Sequence, residues 1–253
     1  MNWIGLQTLI KREIVRTFSI INQVIWPPVI TTLLYVFVFG LALGSRIKQI
    51  QGVPYATFLI PGLIMLQVID GAYGESSSSV FQGRFMQSIQ ELLIAPLSAL
   101  EIVGGYVVSG VLRALFIAAL ITVLGIVLVH TAPINWGLYL LVLVLVAILF
   151  SALGIIFGLL AEKFDHIATL TTFAITPLVF VGGVFTSIAF LPPLFQRISL
   201  FNPMFHMIDA FRFSYTGRGD VPLALSLSVV AALAAVSLGI AFTMAARGYK
   251  LRT

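Results

Sequence analysis

Long apolar runs broken by short polar connections set the pattern of this chain. The runs at 24–43, 102–129, 138–161, 167–185 and 223–246 each approach or exceed the about 20 residues that a helix needs to cross a hydrocarbon core. Pro27 and Pro28 stand near the start of the first run, where a missing N–H does least harm. Ahead of it, Trp3, Leu6, Ile10 and Ile14 share one helical face, with Gln7, Lys11, Arg12 and Arg16 opposite. That pattern predicts a helix lying on the membrane surface within residues 1–22.

Three segments depart from the simple span pattern. Residues 56–69 are apolar, but Asp70, Gly71, Gly74, Glu75 and the run Ser76 to Ser79 follow. The apolar part alone is too short to cross a core of about 30 Å. Extending it to 56–80 makes a second span whose inner half is polar and must face protein or a water-filled cavity. Next comes a polar-edged island, with Phe81, Phe85, Ile89 and Leu92 spaced as one face of a short helix and Gln82, Gln87, Gln90 and Glu91 between them. Pro96 ends it. Ser98 with Glu101 then forms the reciprocal capping pair that starts the third span. Residues 81–97 therefore read as a surface helix between two spans, suited to docking a soluble partner. Gln87, Gln90 and Glu91 would face that partner, with Phe85 and Ile89 as anchors. The third departure is 187–211, two apolar pieces meeting at Asn202-Pro203, each shorter than the about 17 residues of a minimal span. They are expected to be re-entrant or interfacial helices.

Composition narrows the class. Hydrophobic residues make up 60% of the chain and charged residues 9%, which excludes an ordinary soluble domain. No polar stretch is long enough to fold a second domain, so residues 1–253 read as one all-α integral membrane unit of six spans. The absence of cysteine removes disulfides and thiolate sites, and His130, His166 and His206 have no ligand spacing. The first apolar run exceeds the about 7–15 residues of a signal core, so it is expected to stay as an anchor. Lysine and arginine concentrate in both tails and in the connections at Arg84 and Lys163. That bias predicts both termini in the cytoplasm and an even number of spans. No basic run with interleaved aromatics suggests nucleic acid. No phosphate-binding loop, nucleophile elbow or zincin motif occurs, so the chain is read as having no catalytic residues, no metal site and no cofactor of its own.

Intramembrane charge is the remaining candidate chemistry. Asp70 and Arg113 are the charges deepest in spans and form a candidate pair, as a gate or pathway element. Alternatively, Arg113 reaches to the interface and Asp70 borders an aqueous vestibule. Glu75, nearer the interface, is expected to be solvated. Gly154 with Gly158, and Gly105 with Ser109, allow close helix approach, with packing inside the chain as the default. Asp209 and Arg212 have i,i+3 spacing and are expected to tie to each other. The phenylalanines are read as lipid-facing bulk.

The chain resembles the transmembrane subunit of ABC-2-type transporters, the permeases of bacterial ABC exporters, over nearly its whole length. The resemblance rests on Glu91-Leu-Leu-Ile-Ala-Pro-Leu-Ser98, Gly105-Tyr-Val-Val-Ser-Gly-Val-Leu-Arg113, Gly182-Gly-Val-Phe-Thr-Ser187 with Leu191-Pro192, and Asn202-Pro-Met-Phe-His-Met-Ile-Asp-Ala-Phe-Arg212. It implies a homodimer in the bacterial inner membrane, surrounded by lipid. Each copy would engage a separate ABC ATP-binding subunit that holds ATP and Mg. The segment after the second span would be the coupling helix, and Glu162, Lys163 and Asp165 a second cytosolic contact. The first and fifth spans would line the dimer seam and the export path for an amphipathic substrate such as a lipid, glycan or drug. The rival readings are a secondary transporter or channel not driven by ATP, and a membrane assembly protein that needs no docking helix.

Overall fold

The computed structural model describes residues 2–43, 49–50, 52–86 and 97–249. The docking positions Gln87, Ile89, Gln90 and Glu91 lie outside these residues. Helix α1 (Trp3–Ser19) leads into α2 (Ile21–Tyr35), which runs on through wide π turns at Val36–Leu43. A two-residue hairpin, β1 (Gln49–Ile50) with β2 (Val53–Pro54), pairs Ile50 with Val53 and turns through Gly52 at φ 78°. Then follow α3 (Tyr55–Phe85), α4 (Ala99–Val129), α5 (Trp136–Leu160) and α6 (Phe164–Leu170), which continues through a π turn at Thr171–Ile175 into α7 (Thr176–Val181). A 3-10 turn at Ile188–Phe190, α8 (Pro193–Phe201), α9 (Pro203–Thr216) and α10 (Leu223–Ala246) complete the chain. Six stretches among the described residues are long and apolar enough to cross a membrane: Ile21–Gly40, Tyr55–Phe85, Ala99–Val129, Trp136–Leu160, Phe164–Val181 and Leu223–Ala246. The protein is an all-α, multi-pass membrane protein.

The second span, the least regular in sequence, is the centre of the molecule. It is one continuous helix of 31 residues, a length of roughly 46 Å, enough to carry one end out of a core of about 30 Å. The polar run does not break it, because the serines bond to their own helix: Ser77 Oγ donates to the Tyr73 carbonyl at 2.7 Å. Small side chains also let α5 close in. A Cβ on Gly154 would stand 2.7 Å from the Tyr73 carbonyl oxygen, and one on Gly158 would stand 2.8 Å from that of Ser77. The small-residue pair thus packs α5 on α3 within one chain. Above it, Leu63, Ile64, Val68 and Ala72 meet Val142, Val146 and Phe150 in the main apolar core.

Two sequence expectations change. Phe81 to Phe85 form the last turn of α3 rather than the start of a separate helix, because the serine-rich half keeps its helical bonds. Phe85 is 78% exposed, so it does not anchor against the membrane domain. Pro27 and Pro28 lie inside α2, since the helix begins at Ile21. They supply no N–H to the carbonyls of Gln23 and Val24.

The connection between the fifth and sixth spans is knotted by side-chain bonds to backbone. Asn202 joins α8 to α9, accepting from the Met204 N–H at 3.0 Å and donating to the Leu178 carbonyl at 2.7 Å. Asp209 and Arg212 form no ion pair with each other. Asp209 accepts from the Asp220 N–H at 2.7 Å, while Arg212 donates to the Gly183 carbonyl at 2.6 Å and lies 3.7 Å over the Phe58 ring. Each ties α9 to a different segment, so the expected mutual tie is replaced by two longer-range ones.

Candidate functional site

At one end of the bundle, α1 runs beside the first half of α4. Leu9 fills the place left by the missing side chain of Gly105, and the Asn2 N–H donates to Glu101. The Ser98–Glu101 capping box is present and starts α4 here. With Leu9 turned inward, Glu13 follows on the same face one turn later. It is 1% exposed and Arg12 and Arg16 fold back onto it, at 2.8 Å and 3.1 Å. Arg12 keeps the exposed position expected of it, whereas Arg16 turns inward, and the buried partner of both is a neighbour in their own helix.

Arg16 also reaches Glu75 of α3, which Thr17 Oγ1 meets at 2.8 Å and Arg113 Nη1 of α4 meets at 2.6 Å. Glu75 is fully buried, not solvated as its place near the interface suggested. Ser79 donates to Glu13, and Tyr106 accepts from Arg12 at 3.4 Å. Two buried carboxylates thus bind α1, α3 and α4 together. A buried carboxylate survives only when its charge and lone pairs are met, and here three arginines, a threonine and a serine meet them.

Asp70 and Arg113 share a cavity but not an ion pair, since Arg113 turns its Nη1 to Glu75. The cavity holds about 370 Å³ and is lined by α2, α3, α4, the π turn after α6 and α7, including Gln23, Pro27, Thr31, Gln67 and Thr176. Next to it, Tyr35 and Phe39 of the first span meet Phe180 of the fifth and Phe185 just beyond it, with ring centres 4.4 Å apart for Phe39–Phe185. This cluster corrects the reading of phenylalanine as only lipid-facing bulk. Both π segments lie in these same two spans, an irregularity that often marks functional positions.

The end of α3, which leads into the predicted docking segment, meets the connection that holds Glu162, Lys163 and Asp165. Arg84, at the end of α3, donates from Nη1 to the carbonyls of Gly158, Leu159 and Ala161, at 3.2, 2.8 and 3.0 Å. Those are orphan acceptors at the C-terminus of α5, where a cation is also favoured by the helix dipole. Glu162 adds its charge to the same arginine. Phe81 stacks on Phe85 and meets Phe164 edge-on at 5.9 Å. Lys163 and Asp165 are exposed beside them. Sequence reasoning missed Glu13 and the role of Arg84. Glu13 did carry a signal, being the one carboxylate in α1 and flanked by arginines at i−1 and i+3.

Residues 5–216 match the model of the ABC-2 type transporter family. The chain is 40% identical over 251 residues to the inner membrane transport permease YadH of Escherichia coli K12, covering 99% of this chain and 98% of that one. The chain belongs to the ABC-2 type transporter family. More distant relatives include nodulation protein J of Rhizobium leguminosarum bv. trifolii, 28% identical over 153 residues, covering 60% of this chain and 58% of that protein. The family match stops before α10, whereas the likeness to YadH takes in nearly the whole chain. Family membership and six apolar helices support a membrane transport permease, and they give the carboxylate cluster and the Arg84 junction a place in a transporter.

Proposed function

We propose that the chain is the transmembrane permease subunit of an ATP-driven exporter in a bacterial inner membrane. It works as a homodimer, each copy engaged by an ABC ATP-binding subunit that binds ATP and Mg and performs the hydrolysis. The substrate is amphipathic: a lipid, a glycan or a drug-like molecule. Both termini are cytoplasmic, α1 rests at the inner membrane surface, and α8 with α9 dips into the outer face.

The observation that carries this reading is the Arg84 junction. It fixes the end of α3, from which residues 87–97 continue, to the connection holding Glu162, Lys163 and Asp165. A push on either segment is thereby passed to α3 and α5 together. Through Glu75 and Glu13 the same end of α3 is joined to α1 and α4. An ATPase closing beneath this end would move four helices as one body, while the first and fifth spans, bordered by the cavity and the aromatic cluster, are left to rearrange.

Co-expression with the ABC ATP-binding protein encoded nearest the gene tests this. A complex that co-purifies in detergent and hydrolyses ATP faster than the ATPase alone supports the reading. A permease that stays alone and transports in response to an ion gradient would replace it with the secondary-transporter alternative.

A further inference from the structure

We propose that the cavity beside Asp70 binds the protonated amine of an amphipathic substrate, with the Asp70 carboxylate as its counter-ion. This deepens the permease reading above and rests on it. Among the described residues Glu13, Glu75, Glu101 and Asp209 each accept several hydrogen bonds, whereas Asp70 has no hydrogen bond and no ion pair. It opens instead into the 370 Å³ space between the spans, a volume in the range of about 300–1,000 Å³ typical of ligand pockets.

Among the described residues no ion pair takes up the charge of Asp70. Arg16 and Arg113 are offset by Glu13 and Glu75, and the remaining cation, Arg12, is 41% exposed and screened by water. A carboxylate held at such a depth is expensive and usually employed. Arg113 also borders the cavity, with its Nη1 turned to Glu75, and the other polar groups of the wall are neutral: Gln23, Thr31, Tyr35, Gln67, Thr171 and Thr176. Pro27, in the same wall, withholds an N–H from the Gln23 carbonyl and so leaves an acceptor in the backbone. With the charge of Arg113 met by Glu75, an unpaired carboxylate beside neutral acceptors suits a cation that donates several hydrogen bonds, and an ammonium is such a group.

The test uses the full chain in phosphatidylcholine nanodiscs, titrated with octylamine, octanoate and octyl glucoside, alongside Asp70→Asn and Asp70→Glu. Octylamine is expected to bind the parent chain about tenfold more tightly than Asp70→Asn, the loss of one charge-assisted hydrogen bond, and Asp70→Glu should keep part of that preference. A second measurement needs no change at Asp70. Thr31→Cys, in a chain that has no other cysteine, should react faster with aminoethyl than with sulfonatoethyl methanethiosulfonate, and octylamine should slow both. Equal octylamine binding by parent and Asp70→Asn overturns the proposal, as does octanoate or octyl glucoside binding as tightly as the amine. Faster reaction with the anionic reagent overturns it too. None of these readouts involves the ATPase, so their failure leaves the ATP-driven reading standing, and failure of ATPase association leaves the amine result intact.

Discussion

Arg113 Nη1 lies 2.6 Å from Glu75 Oε2, and the pair bridges α4 and α3 through a carboxylate that is fully buried. Glu75 holds Arg16 on its other oxygen, so one side chain secures the N-terminal helix and the third span at once.

Replacing Glu75 by Gln should therefore be costly. Breaking a buried pair by removing one partner typically costs about 3–5 kcal/mol, because the other charge stays buried. The expected outcome is a large fall in thermal stability in detergent, with α1 becoming susceptible to protease. Asp70→Asn should lower stability far less, since Arg113 keeps its partner. Near-equal losses for the two variants would mean that Asp70 shares the structural role.

Glycine contacts predict a second asymmetry. Gly158→Ala places a methyl 2.8 Å from the backbone oxygen of Ser77, which cannot move aside, so destabilisation of about 1–3 kcal/mol is expected from overpacking. Gly105→Ala meets the flexible end of Leu9 instead. It should loosen α1, and adding Leu9→Ala should recover part of the loss. Melting curves of the three variants check this; no recovery would mean that Leu9 is not what Gly105 accommodates.

The spans were legible because length and hydropathy decide membrane crossing locally. The capping box was legible for the same reason, since Ser98 and Glu101 are three residues apart. The carboxylate cluster was not. Glu75 looks solvated beside four serines, and its partners Arg16 and Arg113 are 59 and 38 residues away in sequence. A helical wheel places Arg12 outward correctly but not Arg16, because the missing side chain of Gly105 makes room for Leu9, and with it Glu13, to turn inward. Asp209 and Arg212 failed in the same way: their spacing permits a bond, but nearer partners outside the helix take both. The docking residues Gln87, Ile89, Gln90 and Glu91 lie outside the described residues and stand as proposals.

Sidedness gives a third test, in a chain free of native cysteine. Single cysteines at Asn135 and Phe195, both exposed, should react with an impermeant maleimide added outside intact spheroplasts. Those at Phe85 and Asp165 should react only after lysis. Outside labelling at Phe85 would remove the cytoplasmic junction from the proposed mechanism.

Arg84→Met should uncap three carbonyls of α5 while leaving the spans inserted. Loss of a charged hydrogen-bonding group costs about 1.5–3 kcal/mol, and the predicted consequence is weaker ATPase stimulation, with dimer size on gel filtration retained. Stimulation equal to that of the parent chain would mean that the junction carries no coupling.

The ATP turnover of the permease–ATPase complex in proteoliposomes, measured for the parent chain and for Glu91→Lys, goes furthest toward deciding whether this chain is driven by a docked ATPase. A reversed charge at a docking contact is repulsive, so Glu91→Lys should insert and dimerise normally, yet lose most permease-dependent hydrolysis and release the ATPase on co-purification. Unchanged turnover and unchanged co-purification would contradict docking through this segment, and turnover that never depends on the permease at all would contradict the ATP-driven function itself.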